Sequence, residues 1–310
     1  MNLPSLQAHV AQLREFAAAT ALRAASAPDD FLLQVMARSH AAAVENAELQ
    51  YLQEVGAQTA SALEWRLVGE RAKNGQVPMG LLAKLSDALN RLLLKASYFA
   101  RNKEESYRGV GEGFSQEMNL RFAGLAEGSA RLFIVGNTFP DATGSAPLPE
   151  AIGNVLKALA SGDAATSFYD ALGDLGEQAS SALHDALKAM EQDECSVEVT
   201  WRAHGEAQGK TLRFDEIVRM RTLLEGSSSN DVEDDQVSGL VGLLASSGRI
   251  QIIEASGLKT NVRFKPKTQS EWVAGLRLGQ NVTLKTRAKI YRDPLSGEES
   301  RIHRLVDTEL

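Results

Sequence analysis

The chain has 310 residues, 44% of them hydrophobic, a single cysteine and a formal charge of −7; this length favours about two domains, each able to bury its own core. One cysteine, Cys195, excludes an internal disulfide and a cysteine-rich zinc site, and no run approaches the ~20 apolar residues of a membrane-spanning helix. The expectation is a soluble, cytoplasmic protein with no membrane partner, and the acidic balance argues against broad coating of DNA by the whole molecule.

Residues from 4 to 25 read as an Ala-rich amphipathic helix with Leu6, Val10, Leu13, Ala17 and Ala24 on one face. Ala27-Pro28-Asp29-Asp30 stops it and caps a second helical stretch that runs to Gly56. Ala62 to Val68 has the look of a strand containing Trp65, followed by a polar turn through Gly69 to Gly75. The strongest helix is Pro78 to Ala96, whose Leu81, Leu82, Leu85, Leu89, Leu92 and Leu93 give a wide apolar stripe that must lie on a sheet. Met118 to Gly124 and Ala130 to Gly136 supply strands of that sheet, joined as a hairpin through Ala126 to Ser129. Two further helices follow, at 149–160 and 164–191; Phe168, Leu172, Leu175, Ala179, Ala182, Ala186 and Ala189 form a seam on the second, read as core or as an oligomer contact. A second hairpin, Cys195 to Ala203 and Lys210 to Phe214, leads into a helix from Asp215 to Leu224.

Glu225 to Gln236 is small, polar and acidic, the composition of a flexible linker. Beyond it, residues 237–310 carry 12 Lys and Arg against 7 Asp and Glu, so charge and domain boundary coincide. Five strand-like runs follow, at 237–244, 249–253, 258–264, 281–292 and 301–308, with a helix or turn at 270–276 between the third and fourth. Alternating apolar and polar residues bounded by Gly, Ser or Pro mark half-buried strands, and five of them with one helical insert resemble OB-like and SH3-like small barrels. The fold class is therefore α+β: an Ala-rich helical N-terminal region (1–58), an α+β body with antiparallel hairpins (59–225), an acidic flexible linker (226–236) and a small five-stranded β-barrel (237–310).

In the fourth barrel strand, period two puts Val282, Leu284, Thr286, Ala288 and Ile290 inward and Thr283, Lys285, Arg287, Lys289 and Tyr291 outward. Three cations and a ring on one strand are what a single-stranded nucleic-acid groove uses, and Arg263 and Lys265 extend the patch; the competing reading is a charged strand face kept in solvent. Elsewhere the search for chemistry is negative. The five histidines are scattered and make no metal motif, Gly109 to Gly113 reads as a plain loop, and His204 with Glu206 reads as exposed turn polarity before it reads as an acid-base pair. Cys195 shares a face with Val197, Val199 and Trp201, as a buried inert thiol would. No catalytic residue, metal site or cofactor is assigned.

Leu63-Glu-Trp-Arg-Leu-Val68, Leu125-Ala-Glu-Gly-Ser129 and the pattern around Leu276 to Val282 resemble a group of largely uncharacterised bacterial α+β proteins that end in a small five-stranded barrel. The resemblance spans most of residues 62–310, to a group some of whose members lie near antiviral defence genes, and it carries no catalytic residue. Two functions stay open: a non-enzymatic binding or adaptor protein, a sensor or accessory component of such a system, whose barrel binds nucleic acid or a protein; and a nuclease-like enzyme with a site assembled from distant residues. Self-association or a protein partner is expected through the Ala-rich helices at 6–24 and 168–189.

Overall fold

The computed structural model describes residues 3–59, 61–72, 76–126, 130–140, 144–203, 206–226, 232–245, 248–294 and 296–306. Helices α1 (Leu3–Ser26) and α2 (Phe31–Thr59) form an antiparallel hairpin. Asp30 caps α2 by accepting the Leu32 and Leu33 amides at 3.0 and 3.2 Å, as an N-cap carboxylate does for amides that have no partner within the helix. Arg14 to Glu48 at 3.0 Å and Thr20 to His40 at 3.0 Å tie the two helices along their length. Val10, Ala24 and Ala47 are buried between them, whereas Phe16, Leu22, Phe31, Leu32, Val35 and Met36 stay exposed.

The body is one five-stranded antiparallel sheet under a layer of helices. Strands β1 (Ser61–Val68), β2 (Arg121–Ala126), β3 (Ala130–Val135), β4 (Ser196–Ala203) and β5 (Glu206–Leu212) run in the order β2-β3-β1-β4-β5. Alternation splits the sheet: Leu63, Trp65, Leu67, Leu132, Val197 and Val199 enter the core, while Arg66 pairs with Glu198 across strands at 2.7 Å on the other side. Over the apolar side lie α3 (Met79–Asn102), α5 (Pro147–Ala160), α6 (Ala165–Leu175), α7 (Glu177–Gln192) and α8 (Phe214–Gly226). The Leu stripe of α3 is buried at Leu81, Leu85, Leu89, Leu92 and Leu93, with Leu82 half-buried at its edge.

Several boundaries differ from the expectation. A short helix, α4 (Glu112–Met118), precedes β2, so Met118 ends a helix and the strand begins at Arg121. The helix expected at 164–191 is broken at Gly176, which closes α6 through its amide to Leu172 O and sits at φ 93°, a conformation that disfavours any other residue. The seam from Phe168 to Ala189 is buried throughout, so it is core and not an oligomer contact. The hairpin turns at 127–129 and at His204-Gly205 lie outside the described residues, and with the latter the His204 and Glu206 pair.

The C-terminal strands β6 (Val232–Ala245), β7 (Arg249–Ile253), β8 (Lys259–Arg263), β9 (Asn281–Arg292) and β10 (Glu299–Leu305) close into a barrel in the order β10-β8-β7-β6-β9, with α9 (Pro266–Ala274) between β8 and β9. Every neighbouring pair is antiparallel except β8 with β10. This Greek-key connectivity, with the helix after the third strand, is that of an OB barrel, which settles the choice between the two small-barrel types. Val237, Val241, Ile250, Ile252, Val262, Leu284 and Leu305 fill the interior. Of the expected inward set on β9, Leu284, Thr286, Ala288 and Ile290 are buried and Val282 is half-buried.

The acidic segment is not a linker over its whole length. Helix α8 runs to Gly226, residues 227–231 lie outside the described residues, and β6 already begins at Val232. Asp234 stands directly opposite Arg287 of β9, with 3.3 Å between Oδ1 and Nε, and Asp235 lies 3.4 Å from Arg301. Counted from Val232, the barrel carries 12 Lys and Arg against 10 Asp and Glu, so most of the charge contrast disappears into cross-strand pairing.

Inside the barrel, His303 is buried with its Nδ1 3.2 Å from Thr286 Oγ1 and 3.8 Å from Asp235. Burial pushes its pKa down, and Asp235 only partly offsets this. A histidine held below its unfolded value of about 6.5 takes up its proton more readily in the unfolded chain. Its contribution to stability is therefore complete above about pH 6.5 and is lost as pH falls through that value toward the lower folded one. The unfolding midpoint should fall between about pH 7.5 and about pH 5.5, and His303→Gln should make that fall shallower in thermal melts.

Candidate nucleic-acid interface

The barrel meets the body along one stripe of α6. Thr166, Tyr169, Asp170, Gly173 and Asp174 recur at three- and four-residue steps, which places them on one side of the helix. Thr166 Oγ1 lies 2.9 Å from Ser300 Oγ, and Tyr169 stacks on Tyr291 with centroids 4.4 Å apart and planes 20° from parallel. Asp174 receives Arg263 at 2.6 Å, Lys157 at 2.7 Å and Arg249; Asp170 receives Arg263 at 3.1 Å. A Cβ on Gly173 would fall 2.6 Å from the Arg263 guanidinium, so only glycine allows the side chain to lie so close to the helix. Just past the break, Glu177 pairs with Lys289 at 2.9 Å.

Strand register brings the arginines together. Arg249 of β7 is opposite Arg263 of β8, Arg263 is opposite Arg304 of β10, and Arg304 is opposite Arg287 of β9. Their inward neighbours Ile250, Val262 and His303 are buried, so the four guanidinium groups belong to the outer surface and form a row across four adjacent strands. Directly opposed side chains have Cβ atoms roughly 5 Å apart, and like charges at that distance repel. The row is held by anions at its two ends, Asp170 and Asp174 at Arg249 and Arg263, and Asp234 at Arg287. Arg304, in the middle, is exposed and forms no direct ion pair among the described residues.

The six residues expected to bind nucleic acid are divided by this arrangement. Lys285 and Arg287 are exposed on the outer face of β9. Lys289 and Tyr291, further along the same face, are taken into the seam with α6 and α7, so Tyr291 offers its ring to Tyr169 and not to a base. Arg263 is committed to the two aspartates, and Lys265 stands at the N-terminus of α9, off the β9 face. Arg249 and Arg304 lie outside the expected set: Arg249 is the lone cation of β7, Arg304 shares β10 with Arg301 but not its face, and only pairing across strands joins them to Arg263 and Arg287. A cleft of about 430 Å³ opens beside Arg304 and Lys289, with Glu177, His184, Glu225 and Tyr291 on its walls.

The electrostatics follow the geometry. Burial alone would raise the Asp174 pKa, but Arg263, with hydrogen bonds from Arg249 and Lys157, holds the carboxyl far below the usual carboxylate range. The hydrogen bond from Lys289 draws Glu177 down as well. Burial raises both stacked tyrosines, Tyr169 to about 12. Cys195 is buried and burial raises its thiol, which suits a packing role. Among the described residues no group of three His, Cys, Asp or Glu side chains stands together as a metal site. No family model, curated protein or solved structure matches the chain.

Removing the Asp174 charge leaves three cations around a neutral group in a largely buried place. Asp174→Asn should cost about 3 kcal/mol at neutral pH, read from urea unfolding. Because the folded pKa is depressed, this stabilisation is complete above the ordinary carboxylate value of about 4 and is lost as pH falls below it. The variant should therefore show a flatter loss of stability with acid than the parent.

Proposed function

We propose that the chain is a non-enzymatic binding protein whose OB barrel holds single-stranded nucleic acid by its phosphates along the arginine row. The observation that carries this reading is that strand register sets Arg304 opposite Arg287 on the exposed outer face, next to Lys285, continuing the row beyond Arg249 and Arg263, which Asp170 and Asp174 take up; guanidinium groups at strand spacing match a polyanion better than a compact ligand. Lys285 and Arg287 extend the accessible end of the row, and Arg304 lies between that end and the interdomain seam. OB barrels bind oligonucleotides on the face of their second and third strands, here β7 and β8, whose Arg249 and Arg263 meet α6, so the analogy of fold supports strand binding by the barrel and not its place on β9 and β10.

The exposed apolar side chains of the α1–α2 hairpin supply the adaptor part of the proposal, a surface for a protein partner or a second copy. We further propose, on the resemblance in sequence alone, that strand binding is a sensing or recruiting step in an antiviral defence system.

The test is fluorescence anisotropy of a labelled oligothymidine across a salt series. Each phosphate contact contributes roughly 0.7 to the slope of log affinity against log salt for a single strand. The combined variant Lys285→Ala, Arg287→Ala, Arg304→Ala should lower that slope by about 2 and weaken binding while leaving the fold intact, because none of the three anchors the barrel to α6. An unchanged slope, or no binding by the parent at low salt, would remove the reading.

A further inference from the structure

At the opposite end of the row from Lys285, Arg249 and Arg263 do not end on open surface. They form one wall of a second pocket at the seam, with a cavity of about 290 Å³. Its other wall comes from the body: Lys103 just past the C-terminus of α3, and Asn154 and Lys157 of α5. Phe99 and Phe264 add ring surface. The lining thus gathers four cations from four different elements, against the carboxylates of Glu150 and Asp174.

These carboxylates are fully engaged. Glu150 holds Lys103 at 2.7 Å, and Asp174 is shared by Lys157, Arg249 and Arg263; Asp170 reaches Arg263 and, at 3.8 Å, Arg249 from beside the pocket. Two carboxylates, Asp174 and Asp170, thus meet three cations, and with the Lys103 and Glu150 pair the pocket keeps one positive charge in excess. Lys157 keeps about half of its side-chain surface, so its ammonium is available to a further anion.

Charge, size and walls together select a ligand class. A terminal phosphate monoester carries about −1.5 to −2 charges, where an internal phosphodiester carries one, and it presents more oxygens to converging cations. The two phenyl rings can flank an adjoining base, since every base has a face to stack. We propose that this pocket takes the phosphorylated end of a single strand, its terminal phosphate between Lys103 and Lys157 and its terminal base beside Phe99 and Phe264. This rests on the binding reading above and adds to it: the row tracks the backbone and the pocket recognises the end.

The experiment compares oligothymidines bearing a 5′-phosphate, a 3′-phosphate or neither, with thymidine monophosphate as competitor, on the full-length chain. One phosphorylated end should bind about tenfold more tightly than the unphosphorylated strand, the gain expected from added charge-assisted hydrogen bonds. Lys103→Gln with Lys157→Gln should abolish that gain and keep the affinity for the unphosphorylated strand, with an unchanged circular dichroism spectrum showing that the variant is folded. Thymidine monophosphate should erase the gain alone. Equal affinity for all three strands, or a gain that survives in the variant, overturns the pocket. If no strand binds but thymidine monophosphate binds in a manner that depends on the two lysines, the pocket stands as a mononucleotide site and the row reading falls; if neither binds, both fall.

Discussion

Asp174 is the point on which the arrangement of the two folded parts depends. It is the penultimate residue of α6, with a glycine before it that lets Arg263 approach and a glycine break two residues after it that turns the chain into α7. Its carboxylate draws in one lysine from the body and two arginines from the barrel. A buried carboxylate with one cation is a poor source of stability, because desolvation consumes most of the attraction. Here three cations converge on the one carboxylate, and the Tyr169 and Tyr291 stack adds apolar contact to the same seam. The barrel is thereby fixed in one orientation, with its row of arginines leading out of the seam.

That orientation explains why the arginine row is tolerated. Four like charges in register across adjacent strands would push the barrel apart unless each end met an anion. The body supplies two aspartates at one end and β6 supplies Asp234 at the other. What is left is a middle position, Arg304, on the wall of one cleft, and an outer edge, Lys285 and Arg287, facing solvent. The same chemistry that secures the barrel therefore also limits which cations a ligand can reach.

Much of the fold was legible in the chain because the signals were local. Alternation in 249–253 and 281–292, the Leu stripe of α3 and the Pro28 to Asp30 stop all report on neighbours in sequence, and each produced the element its period demands. The failures lie where an element's meaning comes from its partner. Glu233 to Asp235 have the composition of a linker, yet they are a strand that pairs along β9, with Asp234 across from Arg287 and with Glu233 and Asp235 within reach of Arg301 of β10. Tyr291 has the pattern of an exposed platform, yet Tyr169, 122 positions earlier in sequence, covers it. The arginine row is invisible in any one strand, since Arg249 and Arg304 acquire neighbours only when β7, β8 and β10 pair. Period two identified the outer face of β9 correctly but not which half of it the body would occupy.

The account's central claim is that a single strand lies on the outer face of β9 and β10 where they emerge from the seam. Ultraviolet cross-linking of the full-length chain to an oligothymidine, followed by peptide mass spectrometry, tests it most directly. The account predicts cross-linked peptides from Asn281–Arg292 and Glu299–Leu305, diminished at high salt. Cross-links confined to the α1–α2 hairpin or to the polar face of the body sheet, with none on β9 or β10, would contradict it.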